Sequence, residues 1–305
     1  MMERIGVTGG TGFIGRYLLR DYADQYDFIV TTSQRNPANT VPGVEYRYSD
    51  YTVQSFRSIF SGCSAVIHLG ASIPESVTAL DSIERYWSSI ASTEALLGAM
   101  AANQIKRLVF LSSVSVYGKG EAMPLRETYP YNPDNAYGIA KASIEMMLHL
   151  YEKQYGIKAA VLRVSQVLGY KEYKTKGFFS VLQDASRNHY AIPIYGEGRA
   201  SRDYIYVKDV SRAIICALRS KDLAGVYNIG SGKPTTNMEL AEAYCAAFEN
   251  PAGIKKVHVD QEDSRYWYMD ISKAERVLGF RPQYDLDSMV RDIKREMEHQ
   301  RTPIY

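Results

Sequence analysis

The sequence predicts an α/β fold in which a doubly wound parallel sheet is joined to a smaller lobe. Three features carry that expectation. Short apolar runs alternate with helix-periodic segments through the first half of the chain, a glycine-rich turn follows the first apolar run, and the pattern changes after Val164. Strands that alternate with helices build a parallel sheet buried on both faces, because each crossover lays a helix over it.

Ile5–Thr8 reads as the first strand and Phe13–Tyr22 as the first helix, with Ile14, Leu18 and Tyr22 at i, i+4 and i+8 on one face. Further strands are expected at Phe28–Thr31, Val44–Tyr48, Ala65–Leu69, Leu108–Ser112 and Ala159–Val164, with helices over Ile83–Asn103 and Tyr137–Tyr155. Met146, Met147 and Leu150 are assigned to the core. Beyond Val164, the lysine- and tyrosine-rich Tyr170–Lys176 has the composition of an exposed loop. Helices at Phe178–Asn188, Asp209–Leu218, Met238–Phe248 and Ser288–His299 follow, with a strand at Tyr204–Val207 and a turn at Asn228–Gly232.

A chain of 305 residues can hold one large domain or two of ordinary size. Its 36 basic and 34 acidic side chains are dispersed, so no basic block marks a nucleic-acid or membrane footprint. Cys63, Cys216 and Cys245 are widely spaced and odd in number, which argues against a disulfide framework; without a CxxC pair, no metal is expected. The N-terminus turns polar too early for a signal peptide, and no apolar run approaches the roughly 20 residues of a bilayer span. The expected compartment is the cytoplasm.

The turn Thr8-Gly9-Gly10-Thr11-Gly12-Phe13-Ile14-Gly15 joins the first strand to the first helix. Gly10, Gly12 and Gly15 satisfy G-x-G-x-x-G, and Gly9, Gly12 and Gly15 satisfy G-x-x-G-x-x-G. Without Cβ atoms the backbone turns tightly and approaches a pyrophosphate, which meets the unpaired N–H groups of the helix N-terminus. The position of this motif at the first βα junction favours a dinucleotide site over a plain turn. Residues 1–165 are then expected to form a Rossmann-type dinucleotide-binding domain, with 203–230 packing back onto it. Residues 166–202 and 231–305 are expected to form an interleaved α/β substrate-binding lobe.

Tyr137 and Lys141 open a helix and share one face at i and i+4. A phenol with a pKa near ~10 is a poor acid or base at neutral pH. A neighbouring ammonium, together with a cofactor's positive charge, would favour its phenolate. Ser112, Ser113 and Ser115 end the fifth strand, at the carboxyl edge where open α/β sheets bind ligands, so a hydroxyl there can hold a substrate oxygen.

The glycine turn, the serine segment and YxxxK, in this order, resemble the extended short-chain dehydrogenase/reductases. The NAD(P)-dependent nucleotide-sugar epimerase, dehydratase and ketoreductase branch is the most similar. His68-Leu69-Gly70-Ala71 resembles the family's H-L-A-A, and Tyr195–Gly198, Arg202–Val210, Asn228–Gly232 and Asp270–Ala274 extend the resemblance over nearly the whole chain. The resemblance implies Ser113, Tyr137 and Lys141 as the catalytic set. It implies cofactor contacts from Gly9, Gly12, Phe13, Ile14 and Gly15 around the pyrophosphate. Asp50 resembles the adenine-binding acid, with Tyr51 beside it. Leu69, Gly70 and Ala71 would lie along the cofactor, with Ser89 (in place of a family Asn), Ser112 and Val164 also in contact. For the substrate it implies Ser72, Ser113, Gln166, Phe178 and Tyr195, with Arg202 gripping a diphosphate, a task suited to its planar donor fork. A pair with Asp203 is the other reading of Arg202. Helices over Ile83–Asn103 and Tyr137–Tyr155 would pair in a homodimer.

Two departures shape the expected activity. The dehydratase branch carries an Asp-Glu pair after its catalytic hydroxyl residue, where this chain has Val114 and Ser115. Asp260 falls near the slot of the family's second phosphate-binding arginine, which leaves Arg265 as the candidate. The expected chemistry is redox at a sugar carbon of a nucleotide-diphosphate sugar, as a 4-epimerase or 4-ketoreductase and not a 4,6-dehydratase. A non-catalytic regulator or scaffold that binds a dinucleotide is the alternative, and the presence of all three catalytic-set residues argues against it.

The cofactor is NAD or NADP. At the end of the second strand, where NAD sites usually carry Asp or Glu, the chain reads Thr31, Thr32, Ser33, Gln34, Arg35. An acid there would hydrogen-bond the ribose 2′-OH and repel a 2′-phosphate. Its absence, with Ser33 and Arg35 available to a phosphate, favours NADP.

Overall fold

The computed structural model describes residues 2–299 apart from 39, 72–81, 121 and 171–176. Ser72, and all of the expected Tyr170–Lys176 loop but Tyr170, lie outside the described residues. The chain runs from β1 (Arg4–Thr8) through the glycine turn into α1 (Phe13–Tyr22), then β2 (Asp27–Thr32), β3 (Glu45–Tyr48), α2 (Val53–Ile59) and β4 (Ala65–His68). A single 3-10 turn at Ile83–Tyr86 leads into α3 (Trp87–Ala102), followed by β5 (Arg107–Ser113) and a second 3-10 turn at Val114–Tyr117. Next come α4 (Ala136–Tyr155), β6 (Lys158–Val164), β7 (Gln166–Leu168), α5 (Phe178–Asn188), β8 (Ile192–Tyr195), β9 (Ser201–Arg202) and β10 (Tyr204–Tyr206). The chain ends with α6 (Val207–Arg219), β11 (Gly225–Ile229), β12 (Thr235–Thr236), α7 (Asn237–Phe248), β13 (Ile254–Val257), α8 (Ser272–Leu278) and α9 (Leu286–His299).

Seven strands form one sheet in the order β11-β6-β5-β4-β1-β2-β3, and every neighbouring pair is parallel. This is the doubly wound Rossmann-type arrangement, with the strand order reversing between β1 and β4. Leu18, Leu19, Val210 and Ile214 cover one face of the sheet, from α1 and α6. Phe56, Leu96, Leu97, Ile144 and Leu148 cover the other, from α2, α3 and α4. Because both faces are covered, the strand side chains read as near-continuous apolar runs, and Ile5, Val7, Phe28, Val66 and Phe110 are fully buried. Each contributes about 1.5–3 kcal/mol relative to exposure.

A separate apolar cluster around Leu182, Ile192, Leu240, Tyr244 and Ile293 packs α5, α7 and α9 against β8, which pairs in parallel with β13. Helix α7 starts at a capping box, in which Thr236 and Glu239 each accept the other's backbone N–H.

The seven parallel strands point the same way, so the glycine turn and the segments that follow β4 and β5 leave the same sheet edge. Helix α4 is set at that edge by Asn135, whose Oδ1 accepts the Gly138 N–H at 2.8 Å.

Several expectations need correction. Asn228 and Ile229 close β11 and are not part of a turn; β11 (GVYNI) starts at a glycine, which masked it as a strand. Val207 begins α6. Met146 and Leu150 are exposed on α4, and only Met147 of that trio packs against the core. Helix α2, the β8–β13 pair and α8 had no counterpart in the sequence reading, being short elements without a full period of apolar positions. None of the described helices is long and apolar enough to cross a membrane.

Candidate active site

The glycine turn is built for close approach. Gly9 has φ +71°, and a Cβ there would lie 2.5 Å from the Gly70 nitrogen at the end of β4. A Cβ on Gly15 would lie 2.5 Å from the Gly9 oxygen and the Gly10 Cα. Gly12 is the N-cap of α1 and supplies no side-chain cap. The first turn of the helix therefore presents backbone N–H groups, as a pyrophosphate requires. The residues present fit a dinucleotide.

Directly beneath lies a chain of hydrogen bonds that runs in one direction. The Gly70 N–H donates to Thr8 Oγ1 at 3.1 Å, and Thr8 Oγ1 meets His68 Nδ1 at 2.5 Å. His68 Nε2 meets Thr93 Oγ1 at 2.9 Å, and the Thr93 hydroxyl donates to the Ser89 carbonyl at 2.6 Å. Because Thr93 spends its proton on a carbonyl, it accepts from Nε2–H, which leaves Nδ1 to accept from Thr8. His68 is thereby fixed as one neutral tautomer, stacked on Phe110 at 5.6 Å. Burial, with the Lys141 charge nearby, pushes its pKa down to about 3.

The predicted catalytic set comes together at the end of β5. Ser113 caps the 3-10 turn by accepting the Ser115 N–H at 3.2 Å, and it hydrogen-bonds the phenol of half-buried Tyr137. Lys141, one turn further along α4, is buried and donates from Nζ to the Leu111 carbonyl at 2.7 Å. Its ammonium lies 4.8 Å from the Phe110 ring centroid and 5.8 Å from that of Tyr137. Burial pushes Tyr137 up to about 12, offset in part by Ser113, and pushes Lys141 down to about 8, opposed by Glu145. The ammonium turns to a backbone carbonyl, and desolvation dominates both groups.

Ser112 points the opposite way along β5, as strand alternation requires, and its hydroxyl donates to Glu145 of α4. Its side chain is thus engaged away from the glycine turn. Val164 is buried beside Ile229, and Ser89 is buried on α3. Leu69 pairs back to the Thr8 carbonyl at 3.1 Å, with Ala71 two residues beyond at the same edge. Phe13 and Ile14 pack at the start of α1. At the far end of the edge, Asp50 caps Thr52 through N–H and Oγ1 at 3.1 and 2.8 Å, bonds that hold its carboxyl below the usual range. Tyr51 adopts φ +61° as the chain turns into α2. Ser33 is exposed, and Arg35 lays its guanidinium 4.7 Å from the centroid of the exposed Tyr48 ring.

Arg202 and Arg265 converge on a residue the sequence reading missed. Arg202 Nη2 reaches Asp263 Oδ2 at 3.2 Å, and Arg265 Nε reaches Asp263 Oδ1 at 2.8 Å. Arg265 holds the Asp263 carboxyl down at about 2. Arg202 also donates to Asn237 Oδ1 at 3.2 Å. The alternative partner Asp203 is fully buried and takes the N–H groups of Ser231, Gly232 and Met269. Asp260 is exposed, 3.9 Å from His258. Gln166 and Tyr195 are exposed at the ends of β7 and β8, and Phe178 opens α5 half-buried. Among the described residues no group of His, Cys, Asp and Glu can hold a metal ion.

The sequence model of the NAD-dependent epimerase/dehydratase family matches residues 5–230. The chain belongs to that family. A Methanocaldococcus jannaschii protein provisionally named a UDP-glucose 4-epimerase is 31% identical, over 96% of this chain and 98% of its own length. A dTDP-glucose 4,6-dehydratase of Streptomyces griseus is 29% identical, over 94% of this chain and 91% of its own. The UDP-glucose 4-epimerase of Thermotoga maritima, solved with UDP-glucose, gives a TM-score of 0.86 at 27% identity, covering 97% of this chain and 99% of that one. Epimerases and dehydratases of the NAD-dependent epimerase/dehydratase family thus stand at similar distance, and the site residues must choose between them.

The neutral His68 gives a test of the relay. Its proton affinity is lower folded than unfolded, so its contribution to stability is complete above about pH 6.5 and is lost as pH falls toward 3. That loss amounts to as much as about 5 kcal/mol. In urea unfolding at pH 7 and pH 4, His68→Gln is expected to be less stable at pH 7 and to lose less on acidification. An unchanged pH dependence in the variant would contradict the buried neutral imidazole.

Proposed function

We propose that the protein carries out hydride-transfer redox chemistry at C4 of a nucleotide-diphosphate sugar, as a 4-epimerase in the first place and a 4-ketoreductase in the second. The convergence of Ser113, Tyr137 and Lys141 at the carboxyl edge of β5, facing the glycine turn across β4 and β1, carries this reading. When bound, a nicotinamide dinucleotide supplies the hydride acceptor or donor and, in its oxidised form, a positive charge. Tyr137 holds the proton of the sugar hydroxyl at its phenolic oxygen, Ser113 orients that oxygen, and Lys141 keeps a cation beside the phenol. Arg202 and Arg265 bring two guanidinium groups together, and their donors, which bond Asp263 in this structure, would turn to a diphosphate. Epimerase names among the relatives support the first version. Against dehydration stands the 3-10 turn after Ser113, where Val114 and Ser115 supply no carboxylate.

The test is turnover of UDP-glucose, UDP-N-acetylglucosamine, UDP-glucuronate and dTDP-glucose with NAD, NADH and NADPH. At least one is expected to be epimerised or its keto form reduced, and Tyr137→Phe is expected to lower kcat by about 10²–10⁴. Cofactor binding without turnover of any sugar would support the regulator or scaffold reading, and a 4-keto-6-deoxy product would establish dehydration.

For the cofactor, support for NADP rests on the missing acid after β2 and on Arg35, whose stacking on Tyr48 leaves its N–H edge available to a phosphate. Arg35→Ala is expected to weaken NADPH binding about tenfold more than NADH binding, read by fluorescence titration. Equal losses would assign the site to NAD.

We also propose a homodimer through α3 and α4. Ile139, Met146 and Leu150 are 44%, 56% and 48% exposed on one side of α4. Light scattering at micromolar concentration is expected to give twice the chain mass; a monomeric mass would exclude the dimer.

A further inference from the structure

Behind the Tyr137–Lys141 face, the interior holds a charge pair that the proposed chemistry does not use. Glu145 follows Lys141 by four residues and Tyr137 by eight on α4, and it is buried. Arg163 of β6, also buried, meets it at 2.7 Å from Nη2 to Oε2, and Arg163 Nε reaches both carboxylate oxygens at 3.2 and 3.1 Å. Ser112 donates to Glu145 Oε1, and Tyr131 donates to Oε2 at 2.9 Å. The guanidinium lies 4.8 and 4.9 Å from the ring centroids of Tyr117 and Tyr131. Tyr117 donates to Asn228 Oδ1 at 2.7 Å, and the Asn228 amide holds the Leu125 and Asp270 carbonyls at 2.9 and 3.2 Å.

Removing two ions from water is costly, and a buried pair often stabilises no more than apolar residues of the same shape. This pair therefore calls for a role beyond stability, and its partners indicate one. Ser112 adjoins Ser113, Arg163 adjoins Val164 at the sheet edge, Tyr131 precedes α4, and Asn228 closes β11. We propose that the Glu145–Arg163 pair is a positioning device for the reaction, locking α4 against the end of β5 so that Tyr137 and Lys141 face Ser113, with a carboxylate one turn from the Lys141 ammonium. The inference rests on the reading of Tyr137 and Lys141 as the proton-handling pair. The groups that face Lys141 are Tyr137 and Glu145 from its own helix, His68 from β4, and Phe110 with the Leu111 carbonyl from β5. His68 is neutral, and the Glu145 charge opposes the desolvation that drives Lys141 toward its neutral amine. Arg163, Ser112 and Tyr131 face Glu145 in turn and donate hydrogen bonds to its carboxylate oxygens.

The experiment compares wild type, Glu145→Gln and the double variant Glu145→Gln/Arg163→Met, on the best substrate of the four nucleotide sugars above. The double variant strands no ion, so it is expected to fold with a thermal midpoint close to wild type. In both variants kcat is expected to fall by about tenfold or more while KM stays within about twofold, the signature of a lost transition-state arrangement. In Glu145→Gln the alkaline limb of the kcat profile is expected to move to lower pH, because Lys141 loses its proton earlier. A folded double variant with wild-type kcat, or an unmoved alkaline limb in Glu145→Gln, would overturn the proposal. The underlying reading fails separately if Tyr137→Phe retains wild-type turnover, or if none of the four sugars turns over.

Discussion

One buried hydrogen bond, from the Lys141 ammonium to the Leu111 carbonyl at 2.7 Å, ties helix α4 to strand β5 and fixes the arrangement of the site. Leaving a cation in the interior is expensive, since desolvation favours the neutral amine. The fold meets that cost with a backbone oxygen, the face of Phe110 and the field of Glu145. Move Lys141 and Tyr137 moves with it, because both belong to one turn of the same helix. Ser113 is fixed from the other side, as the last residue of β5 and the cap of the following 3-10 turn. The phenol, the ammonium and the hydroxyl are thus set by two rigid elements, not by loops.

The parallel sheet supplies the second constraint. Its strands end on one edge, so the glycine turn, the β4 end and the β5 end lie side by side. Gly9 approaches Gly70 so closely that a methyl group on Gly9 would need the backbone to shift. The Thr8–His68–Thr93 chain fastens that junction from below, joining β1, β4 and α3 with a single tautomer of one imidazole. A dinucleotide laid across this edge would meet N–H groups at the glycine turn and reach the phenol at β5. The paired Arg202 and Arg265 lie beyond, on segments outside the seven-stranded sheet.

Much of this was legible in the residues alone. Strong apolar runs gave six of the seven strands of the sheet within a residue or so, because fully buried parallel strands tolerate little else. Tyr137, Lys141 and the serines were legible through spacing. β11 was not, since a five-residue strand that starts at glycine reads as a turn. Asp263 was not, because a salt bridge between segments about 60 residues apart leaves no periodic trace. Nor was the role of Glu145: on an amphipathic helix a Glu reads as surface, and only the packing of β6 reveals Arg163 as its partner. The apolar residues on the outer face of α4 were misassigned for the converse reason. Periodicity cannot tell a face that meets the core from one that meets another surface.

The central claim is that carbon-bound hydrogen at the sugar moves as hydride while Tyr137 handles only a hydroxyl proton. The most direct measurement is turnover in deuterium oxide, with the product sugar analysed by mass spectrometry after exchangeable deuterium is washed out. The account predicts no carbon-bound deuterium, because hydride held on a cofactor does not exchange with solvent. Incorporation of one deuterium per turnover would contradict it and would point instead to proton abstraction at carbon.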